Sequence, residues 1–204
     1  MGRLLIVSNR LPVTIHRRRG ELQFEQSAGG LATGLSSFYR GLNALWIGWP
    51  GLDRQAEGAD RSEVTQKLHA QDCHPIFLTQ HEVDEYYNKF CSATIWPLFH
   101  YFPQYATYSN TTWSAYEKAN HTFCDEIVKV WQQGDTIWVH DFHLMLLPRL
   151  LRDRLADPTI GFFLHIPFPS FEMFRLLPWR VELLEGLLGA DLLGFHTWDY
   201  AGHF

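Results

Sequence analysis

The chain has 204 residues, 46% apolar and 19% charged, the composition of a single folded domain that needs no disulfide or metal to hold its core. A net charge of -5, with Lys and Arg scattered along the sequence, excludes the basic footprint of a nucleic-acid binder or an anionic-membrane binder. Cys73, Cys91 and Cys124 are odd in number and in no CxxC spacing, which argues for buried free thiols in a reducing, cytoplasmic setting.

The amino terminus, MGRLLIVSN, is not a secretory signal, and Ile6 stands where a myristoylation motif needs Ser or Thr. No apolar run approaches the roughly 20 residues of a membrane span. Taken in order, the chain opens with a buried strand over residues 3 to 8, RLLIVS. VTIHRRRGELQFEQ follows, alternating on either side of a polar turn, and reads as a surface hairpin. Its Arg17, Arg18 and Arg19 read as a solvated turn, with a phosphate site as the other reading. SAGGLATGLSS, residues 27 to 37, then sets Gly29 and Gly30 ahead of a helical pattern. Such a turn lets helix-terminal amides approach an anion, although a plain strand-to-helix turn has the same sequence. It is neither GxGxxG nor a P-loop, so a dinucleotide or ATP is not implied.

Further strands are expected over residues 44 to 49, 74 to 79, 136 to 140, 160 to 164 and 191 to 195. A helix is expected over residues 112 to 132, where Trp113, Tyr116, Phe123, Ile127 and Val130 recur at helical spacing before Gly134. Two more are expected in LMLLPRLLRDRLA and PWRVELLEGLLG, and residues 197 to 204 begin another. Strand and helix in alternation imply an α/β fold with a doubly wound, mostly parallel, Rossmann-like sheet. The aromatic-rich segment around Tyr86, Tyr87, Phe90, Trp96, Phe99, Tyr101 and Phe102 reads mainly as core. Tyr87 and Trp96 have a second reading there, as a hydroxyl and a flat wall for a sugar ring.

Open parallel sheets bind ligands at the carboxyl ends of their strands. Ser8, Asn9 and Arg10 follow the first strand, His140 and Asp141 close IWVHD, and His165 closes IGFFLH, so all three clusters fall on that edge. The imidazole of His165 is therefore a group at the mouth of the sheet, with Pro167 and Pro169 stiffening the exit loop. His140, Asp141 and His143 are close enough in sequence to suggest a metal site, but neighbours on a strand point to opposite faces, and no metal is expected. Asp141 is suited either to accept hydrogen bonds from sugar hydroxyls or to cap the helix that follows, and the two roles are compatible.

The ordered blocks VSNRLP, SAGGLATGL, WIGWPG, YYNKFCSATIWPLFHY, IWVHDFHL, IGFFLHIPFPS and LLGADLLGFHT resemble the amino-terminal half of trehalose-6-phosphate synthases, which are retaining glycosyltransferases of the GT-B fold. The resemblance covers essentially residues 1 to 204 and implies the acceptor-side, Rossmann-like domain of such an enzyme, with the carboxyl-terminal donor-binding domain absent. It implies transfer of glucose from UDP-glucose to glucose 6-phosphate, without a cofactor and without a covalent enzyme intermediate. By the same resemblance Arg10 grips the acceptor phosphate, Gly29 and Gly30 belong to the donor-side loop, and Tyr87 and Trp96 wall the acceptor pocket. Asp141 contacts acceptor hydroxyls and His165 contacts the donor sugar; these two are the expected catalytic pair. A non-catalytic sugar-phosphate module and a transferase using glycerol 3-phosphate are the alternatives, and a homo-oligomer is left open.

Overall fold

The computed structural model describes residues 2–18, 21–27, 30, 34, 42–52 and 59–204. Its strands are β1 (Leu4–Arg10), β2 (Val13–Arg18), β3 (Glu21–Gln26), β4 (Ala44–Trp49), β5 (Cys73–Pro75), β6 (Thr136–His140), β7 (Thr159–Phe163) and β8 (Leu192–Gly194). The hairpin stands apart as an antiparallel β2–β3 pair, as its alternation predicts. The other strands pair in parallel in the order β5-β4-β1-β6-β7-β8. With the hairpin set aside, this is the order 3-2-1-4-5-6 of a doubly wound sheet, and the winding reverses between β1 and β6.

The apolar runs are continuous because both faces of the sheet are covered. Leu5, Val7, Ile47, Ile137, Val139, Ile160 and Phe162 point into the larger core, while Ile6 and Trp46 point to the opposite face. Helix α1 (Ala59–His69) seals that second face with Val64 and Leu68. Helix α3 (Asn110–Val130) packs on the first with Trp113, Tyr116, Phe123 and Ile127, the stripe its spacing predicts. Between them lies α2, a helical segment that opens with Gln80–Glu82, is π-helical over Val83–Ile95, and closes with Trp96–Phe99. A reciprocal cap fixes its start: Thr79 Oγ1 accepts from the Glu82 amide at 3.1 Å, and Glu82 Oε2 accepts from the Thr79 amide at 2.8 Å.

Helices α4 (Leu147–Arg154), α5 (Phe171–Phe174), α6 (Arg180–Leu187) and α7 (Trp198–His203) complete the alternation. Among the described residues, no helix is long and apolar enough to cross a membrane. The boundaries depart from the sequence reading in identifiable ways. The last β5 pair is Gly48 with Pro75, the Ile76 amide still donates to the Gly48 carbonyl at 2.8 Å, and the chain then leaves the sheet for the Thr79 cap, short of the expected residue 79. Helix α3 ends at Val130 because Trp131 turns to extended backbone, so the left-handed Gly134, at φ 92°, lies beyond the cap. Helix α4 starts only at Leu147, with Pro148 in its first turn, after a separate 3-10 turn over Phe142–Leu144. The glycine-rich stretch after the hairpin lies mostly outside the described residues. That includes Gly29; Gly30 and Gly34 are helical.

Candidate functional site at the β1/β6 crevice

The end of β1 is shaped by a register slip between Val7 and Arg10 against β4. Ser8 Oγ holds the slip by donating to the Arg10 carbonyl at 2.7 Å while accepting from Trp46 Nε1 at 2.7 Å. Gly48 allows the close approach, since a Cβ there would sit 2.6 Å from the Ser8 carbonyl oxygen. The bulge turns Arg10 out at the strand end, where its guanidinium lies 4.6 Å from the ring centre of Trp49 and 5.5 Å from that of Tyr87. Among the described residues no carboxylate pairs with it. A cation steadied by two aromatic faces and left unneutralised is a receptor for an anion, and its planar fork suits a phosphate.

Tyr87 comes from the π-helical part of α2 and stacks on His143, with ring centres 5.5 Å apart and 16° between planes. The neighbouring Tyr86 is buried and ties the same turn to β1: its hydroxyl lies 3.0 Å from Asn9 Oδ1 and 3.2 Å from the His143 carbonyl. Burial and the charge of Arg10 push the His143 imidazole down to about 3, so it is neutral at pH 7.

Across the crevice, Asp141 follows β6 at φ 76° and ψ 167°, a conformation nearly reserved for glycine. Its Oδ1 accepts from the Phe142 amide at 3.0 Å and from the His165 amide at 3.1 Å, joining the ends of β6 and β7. The carboxylate thus caps the 3-10 turn that follows β6, one of the two roles open from the sequence. Its Oδ2 lies 3.9 Å from His143 Nδ1. Burial pushes the Asp141 carboxyl up to about 6, with the two amides opposing that rise. Trp96, about half exposed, stands beside this turn with its ring 5.7 Å from that of Phe142.

His165 Nε2 lies 3.0 Å from His140 Nδ1, and His196 approaches the same ring edge-on at 5.7 Å. Burial holds His140 down at about 3 and His165 at about 4, so both rings are neutral near pH 7. Among the described residues no group of three or more His, Cys, Asp or Glu side chains is arranged to hold a metal ion.

The crevice therefore brings together Arg10, Tyr87, Trp96, Asp141 and His165 from β1, α2, β6 and the loop after β7. Gly29 lies outside the described residues, and a Cβ at Gly30 would meet nothing within 4 Å among the described residues. Of Arg17 to Arg19, Arg18 is exposed, 3.9 Å from Glu25 on the hairpin, while Arg19 lies outside the described residues and the side chain of Arg17 is not described. Sequence reasoning missed Trp49 and left His143 without a role. The signal for Trp49 was its place as the last residue of a strand ending on this edge. A groove of about 730 Å³ by β5, lined by Arg61, His69, His74 and Glu126 among others, shares no residue with the crevice.

Fold and site together define the class: an open, doubly wound α/β domain whose cation, carboxylate and neutral imidazoles converge at the sheet's switch point. The chain belongs to glycosyltransferase family 20, whose family model matches residues 2–204. It is 48% identical over its whole length to the UDP-forming α,α-trehalose-phosphate synthase 1 of Aspergillus fumigatus, covering 40% of that protein. It is 44% identical, again over its whole length, to the 56 kDa subunit of the Saccharomyces cerevisiae UDP-forming synthase, covering 42% of it. Among solved structures it resembles a UDP-forming trehalose-phosphate synthase from Burkholderia xenovorans in complex with glucose-6-phosphate, with TM-score 0.77, 32% identity, 100% of this chain and 42% of that one. It also resembles an E. coli structure bound with UDP-2-fluoro glucose, with TM-score 0.78, 33% identity, 99% of this chain and 41% of that one. The chain thus spans about 40% of the length of the curated relatives it matches.

Proposed function

We propose that this chain is the acceptor-side domain of a retaining, UDP-glucose-dependent α,α-trehalose-6-phosphate synthase. The observation that carries the proposal is the placement of Arg10, between Trp49 and Tyr87, on the same crevice as the Asp141 carboxylate. The first is a fixed cation for a sugar phosphate. The second is an acceptor for sugar hydroxyls, linked to the first through the Tyr87–His143 stack. The similarity to synthases that share the whole of this chain supports the same reading.

In this reading glucose 6-phosphate lies with its phosphate on Arg10, its ring against Tyr87 and Trp96, and its hydroxyls toward Asp141. UDP-glucose enters from the β7 side, where neutral His165 hydrogen-bonds the donor sugar. The anomeric hydroxyl of the acceptor attacks the donor carbon from the face that UDP leaves. One C–O bond forms, the bond to the diphosphate breaks, and the hydroxyl proton passes to the departing phosphate. No side chain forms a covalent intermediate, so catalysis rests on positioning and on stabilising charge at the leaving group. The cations that meet the diphosphate belong to a second, carboxyl-terminal domain, and no cofactor takes part. The three free, buried thiols support a cytoplasmic setting.

The test is UDP release by an active protein carrying this chain, with glucose 6-phosphate and with unphosphorylated glucose. A strong preference for the phosphorylated sugar that disappears in Arg10→Ala supports the proposal. Equal use of both sugars contradicts it.

A further inference from the structure

His140 is buried at the end of β6 and, as the mechanism stands, has no task. Its Nδ1 lies 3.0 Å from His165 Nε2, while its Nε2 is buried without a hydrogen-bond partner among the described residues. Two neutral imidazoles at that distance share one proton along the N···N line, and either ring can hold it. If His165 donated, His140 would carry its own proton on Nε2, an N–H sealed away from every acceptor. If His140 donates from Nδ1, the orphaned atom on His140 is a bare acceptor. Buried N–H groups without an acceptor are the rarer of the two states. The proton on His140 Nδ1 in turn fixes His165: its Nε2 is consumed as an acceptor and its own proton stands on Nδ1.

We infer that His140 is a positioning residue that locks His165 in the Nδ1–H tautomer, so that His165 presents a hydrogen-bond donor, rather than an acceptor, to an oxygen of the donor sugar. The locking is a statement about two side chains of this chain. Its consequence for the sugar rests on the proposed function. A free imidazole in water favours the other tautomer, so the lock is needed if the ring is to enter the reaction in one form. His140 does this by a hydrogen bond that also stacks the two rings, with centres 5.3 Å apart. The arrangement follows the way an imidazole's working nitrogen is set by the bond its other nitrogen makes.

Two long-range nitrogen–proton NMR spectra of this chain at neutral pH, for the parent and for His140→Asn, test the inference. The side-chain amide of Asn places an N–H where His140 has Nδ1–H. The expected result is Nδ1–H on both His140 and His165 in the parent, with His165 keeping that tautomer in His140→Asn. Nε2–H on His165 in the parent overturns the inference. His140→Phe, which removes the donor and keeps an apolar ring, should return His165 to Nε2–H, and His165 remaining Nδ1–H there would show that another group sets it. In an active protein carrying this chain, His140→Phe should raise the KM for UDP-glucose about threefold to tenfold, with the KM for glucose 6-phosphate unchanged and His140→Asn restoring most of the loss. A protein with the expected tautomers and no transfer of glucose would leave the lock standing and remove the proposed function instead.

Discussion

Asp141 is held in a backbone conformation that costs on the order of 1 to 3 kcal/mol for a residue with a side chain. It also carries a carboxylate whose ionisation is opposed by burial, and its folded pKa of about 6 lies above the ordinary unfolded value of about 3.9. The folded state therefore binds the extra proton between those values, and the cost of ionising Asp141 is fully felt above about 6. Asp141→Asn keeps an oxygen for the Phe142 and His165 amides and removes that charge. It should stabilise the fold at pH 7 by about 1 to 2 kcal/mol, measured by denaturant unfolding, while lowering use of the acceptor. A destabilised Asn variant would show that the two amide bonds need the charge more than the burial opposes it. Arg10→Ala should weaken use of the phosphorylated acceptor by about 1.5 to 3 kcal/mol, and Arg10→Lys should recover only part, because a point charge does not reproduce the fork. The place of these two residues at the edge of the sheet was legible in the sequence because each is polar and follows an apolar strand. The strain at Asp141 was not legible, because nothing in a residue's identity states its φ. His143 was missed for a related reason: its importance lies in stacking on Tyr87, which is 56 positions away by subtraction of their numbers.

Among the elements, the strands were readable almost to the residue where both faces are buried, as in β4 and β6, whose limits coincide with the apolar runs. They were less readable at edges, where β5 closes at Pro75, short of the expected residue 79, and β1 is prolonged to Arg10 by its bulge. The bulge has a steric condition at Gly48, and Gly48→Ala should cost about 1 to 3 kcal/mol of stability because the new methyl meets the Ser8 carbonyl oxygen, which is backbone and cannot swing aside. The same variant should reduce acceptor use, since Arg10 hangs from that bulge; an unchanged melting temperature would show that the strands separate without cost. The π-helical stretch of α2 was not legible at all. The aromatic-rich segment that contains it read mainly as core, and Tyr86, Phe90 and Phe99 are core, whereas Trp96, Tyr101 and Phe102 stay 45% to 51% exposed. The wider helical repeat sets Tyr86 toward Asn9 and Tyr87 toward Arg10 from adjacent positions, and an ordinary helical pattern does not anticipate that both neighbours serve one site.

At the scale of the molecule, the neutral imidazoles of the crevice make the fold sensitive to acid. His140, His143 and His165 are held to about 3, about 3 and about 4, below the ordinary unfolded value of about 6.5. The unfolded chain binds these protons first, so stability falls as the pH drops from 6.5 toward 4. Asp141 acts the other way over part of that range, one proton against three. The unfolding free energy should therefore rise from pH 4 to 6.5 by up to about 2 to 3 kcal/mol per pH unit, and a flat profile would mean that the rings are not buried as neutral groups. The doubly wound order was legible from the alternation of strand and helix, because parallel strands buried on both faces leave few other arrangements. The placing of Arg10, Asp141 and His165 on one edge followed from that order, whereas Tyr87 and Trp96 reach the crevice from α2. With the diphosphate cations assigned to a second domain, this chain by itself should release no UDP from UDP-glucose and glucose 6-phosphate. Central to the proposed function is that this chain holds the acceptor by its phosphate, and the direct measurement is a calorimetric titration of the chain with glucose 6-phosphate and with glucose, each repeated on Arg10→Ala. The expected result is measurable binding of glucose 6-phosphate, stronger than that of glucose, with the difference lost in the variant. Equal binding of the two sugars, or a phosphate preference that survives Arg10→Ala, would contradict it.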